Sequence, residues 1–260
     1  LSPIFHLLLY QIGLKSGRIA KKVSADCAQA ADQANSAKLR LDFPLPTPQA
    51  FLSQTEIVQE IVSGQARLFG GDPVPISLSP RPPLDDWSAY ETGKANWGCE
   101  DPKFIWEPAR FGWAFYLGRE YHETNDEKLA VNFWQNFQEF STSNPPTKGP
   151  NWASAQEVAL RLIAFCFSVQ IFARSPQTTP DRLRAITRSI AEHAARIPPT
   201  MNYARAQGNN HLLAESAGIF TAGIFLQDHP MASAWRKIGW QAFHQGLHQQ
   251  IADDGTYAQH

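Results

Sequence analysis

Residues 153–172 read ASAQEVALRLIAFCFSVQIF, and the spacing of their apolar positions decides the fold class. Ala155, Val158, Leu162, Phe165, Val169 and Phe172 recur at intervals of three and four, the period of one helix face rather than the alternation of a strand. A helix is therefore expected here. The same period continues on both sides of it. Ile105, Ala109, Trp113 and Tyr116 predict a single helix beginning near residue 102, with Pro108 in its opening turn, where a missing N–H is tolerated. Leu129, Phe133, Phe137 and Phe140 mark a second, capped by Asn125 or Asp126. The quoted stretch is the third. Thr179 followed by Pro180 opens a fourth in the cap-then-proline manner, with Leu183, Ile186, Ile190 and Ile197 as its stripe.

Residues 210–227 form the fifth, with Gly218 and Gly223 inside it. A mid-helix glycine costs about 1 kcal/mol relative to alanine, so these two point to a closely packed neighbour. The sixth covers residues 232–252 and carries Trp235, Ile238, Phe243, Leu247 and Ile251. Helices joined by short or moderate loops pack as antiparallel neighbours, which makes three hairpins of the six. No repeat of fixed period is present, so a regular solenoid is disfavoured. The pattern gives an all-α class but not the arrangement of the helices, for which the preferred reading is an incomplete (α/α) toroid of helical hairpins with an irregular, partly extended N-terminal arm.

That arm, residues 1–100, is read as helical and irregular structure packed on the toroid of residues 101–260. Prolines at 44, 46 and 48 and from Pro73 to Pro83 break regular structure. One short helix is expected over residues 53–63. Gly70-Gly71 followed by Val74, Ile76 and Leu78 predicts an extended segment over residues 66–86.

With 260 residues the chain can bury a large core, and 43% hydrophobic against 18% charged residues excludes a disordered chain. A net charge of −1 supplies no general attraction to nucleic acid or to an acidic polymer, so a polyanion needs a local arginine cluster. Cys27, Cys99 and Cys166 suggest neither a disulfide framework nor a metal knuckle, and Cys166 reads as core. The apolar run from Ile4 to Ile12 is too short to cross a bilayer, and no membrane span is read. No metal site or cofactor is expected; His244 and His248, four apart, read as solvated helix histidines. No signal peptide is identified, and localisation stays open.

Three clusters carry chemistry. Asn209, Asn210, His211 and Glu215 gather at the start of the fifth helix, where backbone N–H groups and the dipole favour an anion. Read by themselves they also describe an ordinary Asn cap, a satisfied histidine and a solvent-facing carboxylate. Asn151 and Trp152 lead into Gln156, Glu157 and Arg161, and the last two, four apart, also suit a surface pair. Trp106, Glu107 and Arg110 form the third.

The clusters occur in a telling order: Phe104 to Arg110, then Asn144-Pro-Pro with Gly149-Pro-Asn-Trp152 and Gln156 to Arg161, then Asn209 to Glu215, then Asp254-Gly255-Thr-Tyr257. Over residues 60–260 this series resembles the N-terminal domain of heparinase II/III-type lyases. The resemblance implies an α/α toroid followed by a β-sandwich, an acidic uronate-containing polysaccharide in the cleft between them, and a periplasmic or secreted location. It further implies a catalytic Tyr shortly beyond His260, with Tyr257 too early for that role, so the isolated chain is expected to be inactive.

Such enzymes cleave by β-elimination, removing the C5 proton beside the uronate carboxylate. A donor must then share the carboxylate's charge. By similarity Asn210 is the catalytic candidate, with His211 beside it for the same task or for proton transfer. Substrate-binding candidates are Asn151, Trp152, Glu157, Arg161, Trp106, Arg110, Arg205, Asn209 and Glu215. Arginines suit carboxylate or sulfate, and tryptophan suits a sugar face. The alternatives are a toroid module that binds acidic polysaccharide without cleaving it, and a glycoside hydrolase using paired carboxylates.

Overall fold

The structure is a computed structural model that describes residues 2–45 and 55–257. In chain order its elements are α1 (Pro3–Lys15), α2 (Arg18–Ala34), α3 (Thr55–Val62), β1 (Gln65–Arg67), β2 (Pro73–Pro75), α4 (Trp87–Glu91), α5 (Lys103–Ala109) and α6 (Ala114–Thr124). They continue as α7 (Glu127–Ser143), α8 (Ala155–Phe172), α9 (Pro180–Arg196), α10 (Met201–Gln207), α11 (Asn210–Phe225) and α12 (Ala232–Gln250). Helices α6 and α7, α8 and α9, and α11 and α12 pack as the three hairpins expected, and α6, α8 and α11 lie side by side. The architecture is the incomplete α/α toroid.

Local chemistry starts these helices. Asp126 caps α7 by accepting from the N–H of Lys128 at 3.0 Å, and Thr179 caps α9 by accepting from that of Arg182 at 3.3 Å. Asn125 instead ends α6 in a left-handed conformation. Helix α8 is the centre of the core, with Leu162, Phe165, Val169 and Phe172 fully buried. Phe165 meets Phe111 and Phe137 edge-on at centroid distances of 4.9 and 5.2 Å. Each ring so enclosed contributes about 2 kcal/mol relative to exposure. By length and apolar composition Ala155–Phe172 could also cross a membrane, but 78% of it is buried against the rest of the protein.

Three expectations change. The single helix near residue 102 is two, because Phe111 adopts φ 59° and breaks the chain between α5 and α6. Pro108 consequently sits near the end of α5, and its carbonyl accepts from Trp113 Nε1 at 3.0 Å. Apolar spacing persists across that break, so periodicity does not reveal it. The N-terminal region also holds two long helices. Helix α2 is amphipathic and packs on α9 through a buried stripe of mostly small residues, Val23, Cys27, Ala30 and Ala34. Helix α1 is apolar all round, leaving Ile4, Leu8 and Ile12 exposed, so it shows no stripe at all. Finally, α10 stands between the fourth and fifth expected helices.

The extended segment is a short antiparallel pair, with Ala66 opposite Val74. The expected helix over residues 53–63 is present as α3 from Thr55; its first two expected positions, Ser53 and Gln54, lie outside the described residues, as do Pro46 and Pro48. Cys27 and Cys166 are buried thiols and Cys99 is exposed.

The hairpin of α11 and α12 is set by glycine. A Cβ at Gly239 would lie 2.7 Å from the backbone N of Phe220 and 2.8 Å from the carbonyl of Ser216. Backbone cannot yield as a side chain can. Gly239→Ala is therefore expected to destabilise the fold by about 2 kcal/mol and lower the melting temperature by several degrees. An unchanged thermal transition would mean that the two helices are not this close.

Candidate functional site

The last turn of α10 ends at Gly208 in a left-handed conformation, φ 61°, and the chain reverses into α11. Asn209 Oδ1 accepts from the N–H of His211 at 3.0 Å, so its side chain is used as the helix cap. That leaves Asn210 and His211 at the mouth of the elbow. One turn on, Glu215 lies on the same face, its Oε1 3.8 Å from His211 Nδ1. This is ion-pair range and too long for a hydrogen bond. Glu215 is 1% exposed, and its Oε2 has no hydrogen-bond partner.

Facing this elbow is the turn at Pro150–Trp152, which leads into α8. Two arginines hold it from beneath. Arg161 donates from Nη2 to the carbonyl of Asn151 at 2.7 Å, from Nη1 to that of Ala109 at 3.1 Å, and from Nε to His193 Nε2 at 2.8 Å. His193 Nδ1 lies 2.7 Å from the carbonyl of Ser189 and must donate to it, which makes the ring neutral, with Nε2 as acceptor. Burial, and then the charge of Arg161, hold His193 well below the usual histidine range. Arg196 donates to the carbonyls of Trp152 and Ala153 at 3.1 and 2.7 Å and to Thr200 Oγ1 at 2.9 Å, with its guanidinium 3.8 Å from the Trp87 ring centre.

Between elbow and turn lies a cavity of about 360 Å³. Of the residues selected from sequence, Trp106, Arg110, Glu157, Asn210, His211 and Glu215 line it. Asn151, Trp152 and Arg161 do not: each is buried, and Arg161 is spent on the contacts just described. Arg205, on α10, is half-buried and absent from the lining. The expected pairing of Glu157 with Arg161 is also replaced. Glu157 accepts instead from Arg110, across helices, at 2.5 and 2.9 Å, and Arg110 pairs with Glu107 as well. Spacing of four within α8 did not decide the partner, because Arg161 points inward.

The structure adds Tyr10, Glu91, Lys103, Arg196 and Tyr203 to the cavity wall. Tyr10 comes from α1 and donates to Glu91 Oε2 at 3.3 Å, from a position 81 residues away. No sequence signal joins those two. Burial raises the carboxyls of both Glu91 and Glu215, with Arg196 and His211 pulling each back. Burial also raises the Tyr10 phenol and lowers Arg196. The site thus offers an amide, an imidazole and three cationic side chains among carboxyls, an arrangement able to hold an anion and move a proton beside it. No group of three or more His, Cys, Asp or Glu able to hold a metal occurs among the described residues.

Residues 85–259 match the Heparinase II/III N-terminus family. A heparin-sulfate lyase of Bacteroides stercoris is 28% identical over 179 residues, covering 61% of this chain and 26% of that protein. One from Pedobacter heparinus is 25% identical over 164 residues, covering 61% and 24%. The chain thus spans about a quarter of the length of the curated relatives it matches. Among solved structures, the heparan sulfate lyase HepC from Pedobacter heparinus superposes with a TM-score of 0.62 at 18% identity, covering 96% of this chain and 38% of that one. A heparinase III gene product gives 0.64 at 21%, covering 96% and 40%. These last two likenesses establish the fold.

Glu215 makes the electrostatics testable. Its folded pKa is raised above the ordinary value of 4.5, so between those values the folded chain binds more protons than the unfolded one. Stability from this group is then full at acid pH and is lost as pH rises through the folded pKa. Glu215→Gln is expected to raise the melting temperature at neutral pH, with a gain that shrinks as the pH approaches about 4. A gain independent of pH, or a loss at neutral pH, would contradict burial of the charged form.

Proposed function

Because the chain belongs to the heparinase II/III family, we propose that it supplies the helical wall of a site that cleaves a uronic-acid-containing polysaccharide, glycosaminoglycan-like or alginate-like, by β-elimination. The observation that carries this reading is the meeting of Asn210 and His211 with cationic side chains in one cavity.

In this reading the uronate carboxylate lies against the Asn210 amide, which shares its negative charge without having to titrate. The C5–H bond then breaks to a base, its electron pair becomes the C4=C5 double bond, and the C4–O bond breaks. The departing oxygen takes a proton. Charge develops on the carboxylate as C5 loses its proton, so a donor fixed there beforehand acts on the transition state more than on the bound substrate. His211 stands next to the amide for the same task or for proton transfer. Arg196 contributes positive potential from a fixed position in the cavity wall, whereas the charge of Arg110 is answered by Glu107 and Glu157. The half-buried Trp106 offers an apolar face to a sugar ring, the role expected of Trp152, which is enclosed.

Cleavage by elimination leaves an unsaturated uronate that absorbs in the ultraviolet. Asn210→Ala, made in the polypeptide that carries this sequence, is expected to lower the rate of that absorbance by about a hundredfold or more. An unchanged rate would remove Asn210 from the mechanism. New reducing ends without ultraviolet absorbance would indicate hydrolysis instead, and saturable binding with no product would indicate a non-catalytic module for acidic polysaccharide.

A further inference from the structure

A second cavity, of about 290 Å³, adjoins the first. Resting on the reading above, we propose that it is a saccharide subsite holding a sugar next to the reacting uronate of the same acidic chain.

Continuity is the first argument. Trp106 lines the first cavity, and Trp97 lines the second. Their rings meet edge to face at 5.5 Å, and Trp97 packs in turn on Tyr90 at 4.9 Å. Trp106 Nε1 donates at 3.0 Å to the carbonyl of Pro150, which belongs to the second cavity. One aromatic partition, fixed by a hydrogen bond, therefore has a face in each cavity.

The chemistry of the lining is the second. A sugar presents an apolar C–H face and a rim of hydroxyls, so its site needs aromatic surface with polar groups beside it. Trp97 and Phe104 supply the surface, and Phe104 is 59% exposed although it is a phenyl ring. Arg81 supplies the charge. It is exposed and makes no ion pair or hydrogen bond with another described residue, whereas Arg110 in the first cavity is already paired with two carboxylates. A planar guanidinium left open in this way suits a carboxylate or sulfate.

A third observation lies in the floor. Asn144 Nδ2 donates to the carbonyls of Leu78 and Phe140 at 2.8 and 2.9 Å, so its Oδ1 must be the acceptor that meets Asn151. Asn151 therefore gives its Nδ2, at 2.9 Å, and its own Oδ1 is left buried without a partner. An unmet acceptor in the lining of a pocket is costly unless something supplies a donor. Asn151 belongs to that lining although its Oδ1 is closed to water, and in the proposed subsite a sugar hydroxyl is the missing donor. The sequence had placed Asn151 among substrate-binding residues; on this proposal it serves the neighbouring sugar rather than the reacting one.

The test uses the polypeptide that carries this sequence, titrated with disaccharide and hexasaccharide fragments of heparan sulfate and of alginate. Trp97→Ala and Arg81→Ala are each expected to reduce the preference for hexasaccharide over disaccharide about tenfold, with Trp97→Phe recovering most of it. Arg81 is exposed, so its variant guards against a folding defect. Loss of affinity equal for both lengths, or no change in the preference with Arg81→Ala and Trp97→Ala, would overturn the subsite while ultraviolet product continued to form. Failure of the unmodified protein to bind any of these probes or to form that product would overturn the subsite and the lyase reading together.

Discussion

Two buried guanidinium groups beneath one turn hold the site in place. The carbonyls of Asn151, Trp152 and Ala153 all turn inward and are taken up by Arg161 and Arg196. Among the described residues neither arginine has a carboxylate in hydrogen-bond contact; each is compensated by carbonyl oxygens and by a ring face, Phe140 at 4.6 Å for Arg161 and Trp87 at 3.8 Å for Arg196. Burial pulls Arg161 down to about 9 and lowers Arg196 as well. A charge so placed is tolerable when each guanidinium nitrogen has a partner, as here, so α8, α9 and the turn have to converge together. That convergence orients the first turn of α8, and with it Glu157, and it brings the Pro150 carbonyl to Trp106.

The electrostatics of the cavity follow from how its charges are already spoken for. Arg110 is shared by Glu107 and Glu157, while the half-buried Glu91 and the buried Glu215 are held toward their neutral forms. With the whole chain at −1, the polyanion recognition proposed here has to come from a few directed donors rather than from a positive field. An amide at a helix N-terminus is well matched to that demand. Its dipole is constant across pH, and the backbone behind it adds partial positive charge.

The parts of this arrangement that were legible in the sequence are those written in local order. Apolar spacing located α7, α8, α9, α11 and α12, and the cap residues located where several begin. Asn210 and His211 stood out because polar groups at a helix start are a short-range pattern. Arg161 was misplaced for the opposite reason: a string that reads as a surface pair with Glu157 does not say which way the arginine points. Its partners are a histidine 32 residues on and a carbonyl 52 residues back. The break at Phe111 escaped because the side chains on either side keep their spacing while the backbone does not.

By itself, then, the sequence determined α7, α8, α9, α11 and α12, the pairing of helices into hairpins and the family to which the chain belongs. Those rest on contacts a few residues apart and on motifs in a fixed order. Tertiary structure alone decided that α1 brings Tyr10 to Glu91, that Glu157 answers Arg110, and that Trp152 is enclosed while Trp106 lines the cavity. The physical reason is that burial and pairing are properties of surfaces meeting across the fold. A charged or aromatic side chain is the same letter whether it faces water, a substrate or a carbonyl oxygen, and only the packing of distant helices assigns it to one of them.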